Sequence, residues 1–352
     1  MNLSFNNIII YAPDIHQGDA VGNHCLGVYD AAETLGLNAT LCALRSSFEK
    51  DKYNRIDVED LLRCDWSESL LFISYSIYDE KLEELIDLGV RTICYFHNVT
   101  SPELLEKYEP ITAKLCEKSY SQLTQLKSIK TVISNSKFTQ DVLFKYGVES
   151  KVIPPIFPQF LDKFEINIGK KFKENSRSLI FIGRVVPHKN IEMLFYIIYL
   201  LRKSDYKYKL NIVGNISNLS YFHVLQDRIE QLNIKDSVKF YGSVSSEVLE
   251  EMISSSSAMI TASRHEGFCI PLIEALSSGV PAFALKGTAA DELLSEKTLF
   301  SSIDDGKDKI LNLLEIDRDN ITLVLDDGSQ KVSDVKKQCD ITKWLDIFLD
   351  IR

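Results

Sequence analysis

The sequence lacks a hydrophobic run long enough to cross a membrane. Its longest apolar stretch, MLFYIIYLL at 193–201, is far shorter than the roughly 20 residues that a spanning helix needs. We interpret it as a helix buried between a sheet and its neighbours. The first residues, MNLSFNNIIIYAPD, also lack the basic segment and long apolar core of a secretory signal. We therefore expect a cytoplasmic protein.

The sequence has no excess of positive charge. It contains 40 Lys and Arg against 50 Asp and Glu, a formal net charge of −10. Proteins that bind nucleic acids usually carry a basic excess, so this class is disfavoured. Peripheral contact with the inner face of a membrane stays open, because a local basic patch is enough for it.

Several short motifs are missing as well. The seven cysteines are odd in number and widely spaced, and none forms a C-x-x-C pair. This pattern predicts reduced, mostly buried thiols and argues against a zinc site. The sequence has no G-x-x-x-x-G-K-[ST] loop and no G-x-G-x-x-G after a predicted strand. These absences argue against a P-loop nucleotidase and a dinucleotide oxidoreductase.

Short apolar runs alternate with helical patterns along the chain. We predict strands at 6–12, 38–44, 69–76, 91–96, 130–134 and 150–155, then at 178–183, 208–214, 237–242, 257–263 and 280–285. Helices are predicted at 22–35, 79–88, 101–127 and 137–146, then at 190–203, 219–232, 246–254 and 271–278. Nearly continuous apolarity favours parallel strands covered on both faces. The alternation predicts an α/β protein with doubly wound sheets.

The length of 352 residues suggests two domains. The proline-containing, charged stretch at 154–178 is the expected boundary, which gives domains at 1–160 and 161–335. Ligands of open α/β sheets sit beyond the carboxyl ends of the strands. The chemistry is therefore expected in loops that directly follow strands.

One such loop is FIGRVVPHKNIEML at 181–194. Gly183 is predicted to make the turn, and Asn190 to cap the next helix. Arg184 and Lys189 lie between them. A helix N-terminus carries a partial positive charge and free N–H groups, so two cations beside it suit a diphosphate. Two ordinary surface cations are the alternative.

A second such loop lies within RHEGFCIPLIEAL at 264–276. Pro271 is expected to open a helix, which puts Glu266 in the loop and Glu274 about one turn into the helix. Gly267 allows a ligand close to the backbone. Spacing alone proves little, since EPITAKLCE at 109–117 has the same E-x7-E spacing on a predicted surface helix.

These two loops carry a family resemblance. GRVVPHKN and the stretch at 241–284 resemble the donor-binding half of retaining glycosyltransferases with the GT-B fold. The family includes glycogen synthases, sucrose synthases and bacterial mannosyltransferases. HQGDAVGN at 16–23, CYFHNVTSPELL at 94–105 and SNSKFTQDVLFKYGV at 134–148 are similar to a bacterial branch associated with surface polysaccharides.

The resemblance covers about 8–295, and 296–335 shows little match. It implies two Rossmann-like domains facing a cleft, an acceptor-binding one at 1–160 and a donor-binding one at 161–335. The tail, 336–352, resembles a closing helix that crosses back to the first domain.

The resemblance also implies roles for residues in the second domain. Arg184 and Lys189 would hold the donor diphosphate and stabilise the departing nucleotide. Glu274 would accept hydrogen bonds from ribose hydroxyls, and Glu266 would contact the transferred sugar. The other implied donor-binding residues are Gly183, Val244, Gly267, Phe268, Cys269 and Ile270. Cys269 departs from the pattern, because glycine is frequent at this position in the family.

In the first domain, Gly18 and Asp19 match a loop that approaches the donor. A lone loop Asp is usually a turn-former, which is the alternative for Asp19. His97 directly follows a predicted strand and is implied to be catalytic or to contact sugar. His16 and Asn98 are expected to contact the acceptor.

The implied reaction transfers a hexose from a UDP- or GDP-sugar to a glycan or lipid-linked acceptor in surface-polysaccharide synthesis, such as that of lipopolysaccharide. The family retains the anomeric configuration by a front-face route, and neither a metal nor another cofactor is expected. The D-x-D of Asp317 and Asp319 is interpreted as a solvated loop. Two alternatives stay open: a sugar-nucleotide 2-epimerase, and a non-catalytic binding subunit with this fold.

Overall fold

The computed structural model describes residues 4–16, 18–48, 52–156, 177–316 and 318–349. The chain divides into two compact units. The first comprises Met1–Val99, Lys114–Phe164 and Val335–Arg352, and the second comprises Thr100–Ala113 and Glu165–Asp334. Residues 100–113, assigned to the first domain from sequence, thus cluster with the second unit. Most of the predicted boundary stretch, 157–176, lies outside the described residues.

The first unit contains nine strands among its described residues. They are β1 (Asn7–Tyr11), β2 (Asp14–His16), β3 (Asn38–Cys42), β4 (Arg45–Ser47), β5 (Arg55–Ile56), β6 (Ser69–Tyr75), β7 (Thr92–Phe96), β8 (Thr131–Ser134) and β9 (Lys151–Val152). Seven form a parallel sheet in the order β5-β3-β1-β6-β7-β8-β9, and β2 pairs with β4. The order reverses between β1 and β6.

The second unit repeats this scheme with six parallel strands. They are β10 (Ser178–Ile182), β11 (Lys209–Val213), β12 (Val238–Gly242), β13 (Ala258–Thr261), β14 (Ala282–Leu285) and β15 (Leu299–Phe300). Their order is β12-β11-β10-β13-β14-β15. The chain thus winds outward from β10 to one edge and then from β13 to the other. The predicted doubly wound α/β architecture is confirmed.

Helices connect the strands in both units. Up to the middle of the chain they are Ala20–Thr34, Val58–Leu61, Leu82–Asp87, Pro110–Gln122 and Lys137–Lys145. The later ones are Ile191–Ser204, Leu219–Gln231, Ser246–Ser255, Ile270–Ser277, Ala290–Leu293, Ile303–Leu311, Arg318–Gln338 and Ile341–Leu349. None of these helices is long and apolar enough to span a membrane.

Each sheet has its own apolar core. In the second unit, Phe181, Phe195 and Phe283 are completely buried. In the first unit, the helix Ile341–Leu349 contributes Trp344, which is also completely buried. The Trp344 ring lies 5.9 Å from that of Phe72. The end of the chain therefore completes the core of the first unit.

Three predictions about secondary structure are wrong. The helix predicted at 101–127 is shorter, because Pro110 begins it and short 3-10 turns, Pro102–Leu104 and Leu123–Ser128, flank it. The strand predicted at 150–155 is reduced to Lys151–Val152. Asp319, predicted in a loop, lies in the first turn of the helix Arg318–Gln338, and Asp317 lies outside the described residues.

Candidate active site

Two loops meet where the strand order of the second sheet reverses. One follows β10 and contains Arg184 and Lys189, and the other follows β13 and contains Arg264 and Glu266. The Arg264 N–H donates to the His188 carbonyl at 2.8 Å, which ties the loops together. In open α/β sheets, ligands generally bind at such a reversal point, outside the carboxyl ends of the strands.

The Lys189 and Glu266 side chains form an ion pair. Nζ of Lys189 lies 2.6 Å from Oε1 of Glu266, and the two side chains are 16% and 12% exposed. A charged hydrogen bond that is largely shielded from water is stronger than a surface pair. The sequence singled out both residues, but only the fold reveals that they contact each other.

Arg184 is exposed and forms no ion pair with any described residue. Asn190 precedes the helix Ile191–Ser204 with a left-handed backbone, φ 52°. Its amide donates to the sulfur of Met193 at 3.4 Å, and its side chain accepts no helix N–H. Asn190 therefore occupies the N-cap position, as predicted, but its side chain makes no capping hydrogen bond.

Glycines end three adjacent strands beside these loops. Gly183 N–H donates to Val213 at 2.9 Å, and Gly214 N–H donates to Gly242 at 2.8 Å. A Cβ built on Gly214 would lie only 2.0 Å from the Gly183 carbonyl oxygen. Gly214, which the sequence analysis missed, thus allows the loop after β10 to cross the end of β11. A glycine at a strand end was the available signal.

Cys269 occupies the N-cap position of the helix Ile270–Ser277 with φ 70° and ψ 64°. Pro271 is the second residue of this helix, one position later than predicted. Left-handed backbone costs about 1–2 kcal/mol for a residue with a Cβ, and glycine avoids this cost. This conformation explains why glycine suits the position. Cys269 adopts the same conformation, and its side chain is only 6% exposed.

Glu274 lies on the second turn of the same helix. Burial, and to a lesser extent the charge of Glu250, raises its pKa to about 7. The protonation state of Glu274 therefore changes near neutral pH, which makes any hydrogen bond to it pH-dependent.

Two histidines that no sequence motif indicated lie beside the ion pair. His188 is 7% exposed, and its Nδ1 has no hydrogen-bond partner among the described residues. Burial, followed by the charges of Lys189 and Arg184, lowers its pKa. Burial also lowers the pKa of His265 to about 4. Both imidazoles are therefore neutral. In the sequence, only their positions next to Lys189 and Glu266 could have indicated these two histidines.

The remaining expected donor residues of the second unit lie in the same loops or at a nearby strand end. Gly267 and Phe268 are partly buried in the loop before Cys269, and Ile270 is the first residue of the helix. Val244 is partly buried after β12, just before the N-cap Ser245.

In the first unit, Asp19 is the N-cap of the helix Ala20–Thr34. Its Oδ1 accepts from Gly22 N–H at 2.7 Å, and Gly18 precedes it with φ 94°. Nδ1 of His16 lies 2.9 Å from Oγ of Ser47. Capping gives Asp19 a structural role in the described part of the chain.

His97 follows β7, and Asn98 follows it with φ 80°. Nε2 of His97 lies 2.9 Å from Oγ of Ser74. Burial lowers the pKa of His97 to about 3, so the ring is neutral at physiological pH. Nδ2 of Asn98, which is 5% exposed, lacks a partner among the described residues. A left-handed non-glycine residue beside a partly buried imidazole is typical of functional loops.

Comparisons with known proteins agree with this fold. Residues 162–321 match the family model described as "Glycosyl transferases group 1". The O-antigen chain mannosyltransferase RfbU of Salmonella typhimurium is 31% identical over 183 residues, which are 52% of this chain and 49% of that protein. The chain spans about half the length, or less, of the curated relatives that it matches.

Two solved structures are similar over nearly their full length. WaaG, a glycosyltransferase involved in lipopolysaccharide biosynthesis, has a TM-score of 0.73 at 13% identity and covers 97% of this chain and 100% of its own. Anabaena HepE in complex with UDP-glucose has a TM-score of 0.68 at 16% identity and covers 97% and 98%. Residues 162–321 are therefore similar to the group 1 glycosyltransferases, and the chain has the GT-B fold.

Proposed function

We propose that this protein is a retaining glycosyltransferase. It would move a sugar from a UDP- or GDP-sugar to a glycan or lipid-linked acceptor in surface-polysaccharide synthesis. The contact between Lys189 and Glu266 carries this proposal, because it joins the two motif loops at the reversal point of the sheet. The mannosyltransferase relative and the UDP-glucose complex of HepE support the substrate class.

The donor would bind along the loops of the second unit. Arg184, exposed and unpaired within the described chain, is available to a diphosphate. The Lys189 ammonium has three donors, so it can hold Glu266 and a phosphate oxygen together. Glu266, fixed by Lys189, would then contact the sugar. Glu274 would accept from the ribose hydroxyls.

Main-chain groups would complete the donor site. The amides of Gly267, Phe268, Cys269 and Ile270 lie before or at a helix N-terminus, whose partial positive charge favours phosphate or sugar oxygens. Gly183 would let the diphosphate approach the backbone, and Val244 would lie beside the nucleobase.

In the chemical step, the acceptor hydroxyl oxygen forms a bond to the anomeric carbon. The bond from that carbon to the diphosphate oxygen breaks, and the hydroxyl proton moves to the departing diphosphate on the same face. The protein supplies positioning and charge stabilisation. With Arg184, Lys189 and the helix N-terminus neutralising the phosphates, the reaction needs no metal.

The first unit would bind the acceptor. Its contributing residues would be His16, His97 and Asn98, while Gly18 and Asp19 would approach the donor. The reaction would take place in the cytoplasm, with peripheral contact to the membrane when the acceptor is lipid-linked. Each of these assignments predicts loss of transfer on substitution of the residue.

A direct assay tests the proposal. The protein is first screened by thermal shift against UDP-, GDP- and dTDP-sugars, and the stabilising donor is then incubated with and without lipid-linked saccharide acceptors. Transfer with retained configuration, unaffected by EDTA, is expected. Epimer formation from donor alone would establish the epimerase alternative instead, and binding without turnover on any acceptor would favour the non-catalytic one.

A further inference from the structure

A buried hydroxyl lies beside His97 at the end of the neighbouring strand. Ser74 is completely buried near the end of β6, with its Oγ 2.9 Å from Nε2 of His97. β6 and β7 pair in parallel with Ser74 opposite Tyr95, and His97 N–H donates to the Tyr75 carbonyl at 2.9 Å. The sheet itself therefore sets the distance between the hydroxyl and the imidazole.

Other contacts fix the orientation of the imidazole. The Asn135 side-chain amide donates to the His97 carbonyl at 3.2 Å. The His97 ring centroid lies 4.8 Å from that of Tyr95 and 5.2 Å from that of His24. With the backbone and two ring neighbours in place, Ser74 meets one specific nitrogen of His97.

The direction of the hydrogen bond follows from the single proton of the hydroxyl. Nε2 of His97 is the only nitrogen or oxygen atom that hydrogen-bonds with Ser74 Oγ among the described residues. If Nε2 carried a hydrogen, the buried hydroxyl proton would face only the Cys25 sulfur, and a thiol is a much weaker acceptor than an imidazole nitrogen. Ser74 O–H therefore donates to Nε2 of His97.

We propose that Ser74 is a positioning residue that fixes His97 as the tautomer with hydrogen on Nδ1. His97 would then present a hydrogen-bond donor, and not a base, to an oxygen atom of a bound sugar. The partial exposure of His97 and the absence of a bond to Nδ1 among the described residues are consistent with this role. The identity of the sugar ligand rests on the proposed function, whereas the tautomer does not.

Nitrogen NMR of the full-length protein labelled in its six histidines tests the tautomer without any substrate. His97→Gln identifies the His97 signals. We expect a protonated Nδ1 and an unprotonated Nε2 in the wild type, and a shift toward the opposite tautomer in Ser74→Ala. Ser74→Cys, which nearly keeps the volume but donates weakly, gives the same test if the alanine variant fails to fold. A protonated Nε2 in the wild type, or an unchanged spectrum in both variants, would overturn the proposal.

Kinetics test the positioning role. Ser74→Ala should lower kcat about 10- to 100-fold, by analogy with the loss on removing a hydrogen-bond partner that orients a metal-ligating histidine, while the affinity for the free nucleoside diphosphate stays constant. Ser74→Thr, which restores the hydroxyl, should recover most of the rate. An unchanged kcat in Ser74→Ala refutes the role. If the wild type transfers no sugar at all, the proposed function fails, and the NMR result still decides the tautomer.

Discussion

Nζ of Lys189 and Oε1 of Glu266 lie 2.6 Å apart and join the loops that follow β10 and β13. Neither side chain is more than 16% exposed. Each side chain therefore holds the other in place before a ligand binds. Substitutions at either residue are expected to affect both ligand affinity and stability.

Lys189→Ala should weaken binding of the nucleotide-sugar and lower stability by about 1–3 kcal/mol, because a shielded carboxylate loses its partner. Calorimetry gives the affinity, and urea denaturation gives the free energy of unfolding. Adding Glu266→Gln should restore part of the stability but not the affinity.

Lys286→Ala is the matched control for Lys189→Ala. It breaks the pair between Lys286 and Glu296, whose side chains are 37% and 79% exposed. This variant should change neither the affinity nor, by more than about 0.5 kcal/mol, the stability. Equal effects of the two lysine substitutions would contradict the special role of Lys189.

The affinity for a nucleotide-sugar should rise with pH through about 7, because Glu274 must be ionised to accept from the ribose and its pKa is about 7. The sugar diphosphate has no titration of its own in this range. Glu274→Gln should bind more weakly and lose this pH dependence, measured by calorimetry from pH 6 to 8. A pH-independent affinity in the wild type would show that Glu274 does not contact the ligand as an anion.

The raised pKa of Glu274 also affects the stability of the unliganded protein, which should change with pH in the opposite direction to the affinity. The folded state binds the Glu274 proton more tightly than the unfolded state, in which the pKa of this carboxyl is near its ordinary value of 4.5. The contribution of Glu274 to stability should therefore fall as the pH rises from about 4.5 to about 7. Subtracting the unfolding free energies of Glu274→Gln from those of the wild type at each pH isolates this contribution.

Cys269→Gly should be more stable than Cys269→Ala by about 1 kcal/mol, because only glycine adopts φ 70° without steric cost. Both variants lose the buried sulfur, so their difference reports the backbone alone. Urea midpoints measure it. Donor binding should survive in Cys269→Gly, and an alanine variant of equal or higher stability would contradict the left-handed conformation.

Gly214→Ala should reduce both stability and donor affinity, because its Cβ would collide with the Gly183 carbonyl and displace the loop that carries Lys189. An overpacked contact of this kind costs about 1–3 kcal/mol. Gly36→Ala is the control: it has positive φ, 81°, and open space around its Cβ. Gly36→Ala should lose only the stability that the backbone strain costs, and its donor affinity should stay unchanged. Thermal melts with and without nucleotide measure both effects.

Most strands of the second sheet could be predicted from the sequence, whereas the helix Arg318–Gln338 that follows the sheet could not. The strands β10, β13 and β14 are mostly apolar, and β11 and β12 mix apolar with polar residues in short runs that end at or before a glycine, so local pattern is enough to find them. The helix Arg318–Gln338 is polar and contains Gly328, a residue that disfavours helices. In the fold a Cβ at Gly328 would lie 2.6 Å from Cδ2 of Leu276, so a larger residue there would make the Leu276 side chain shift.

Among the proposed site residues, strand-end loops and the family resemblance indicated Arg184, Lys189, Glu266 and Glu274. The sequence did not reveal Gly214, because a glycine is needed there only where the fold brings the Gly183 carbonyl, in the loop after another strand, close to its backbone. It also did not reveal Ser74, an ordinary buried strand residue until β7 places His97 beside it.

The sequence by itself determined the alternation of strands and helices, the doubly wound class and the loops that carry charge, since these depend on local pattern. Only the tertiary structure decided that Lys189 pairs with Glu266, that Cys269 has a left-handed backbone, and that Ser74 meets Nε2 of His97. Pairing of strands distant in the chain sets these contacts, because it fixes which strand ends are neighbours and how far apart their side chains lie.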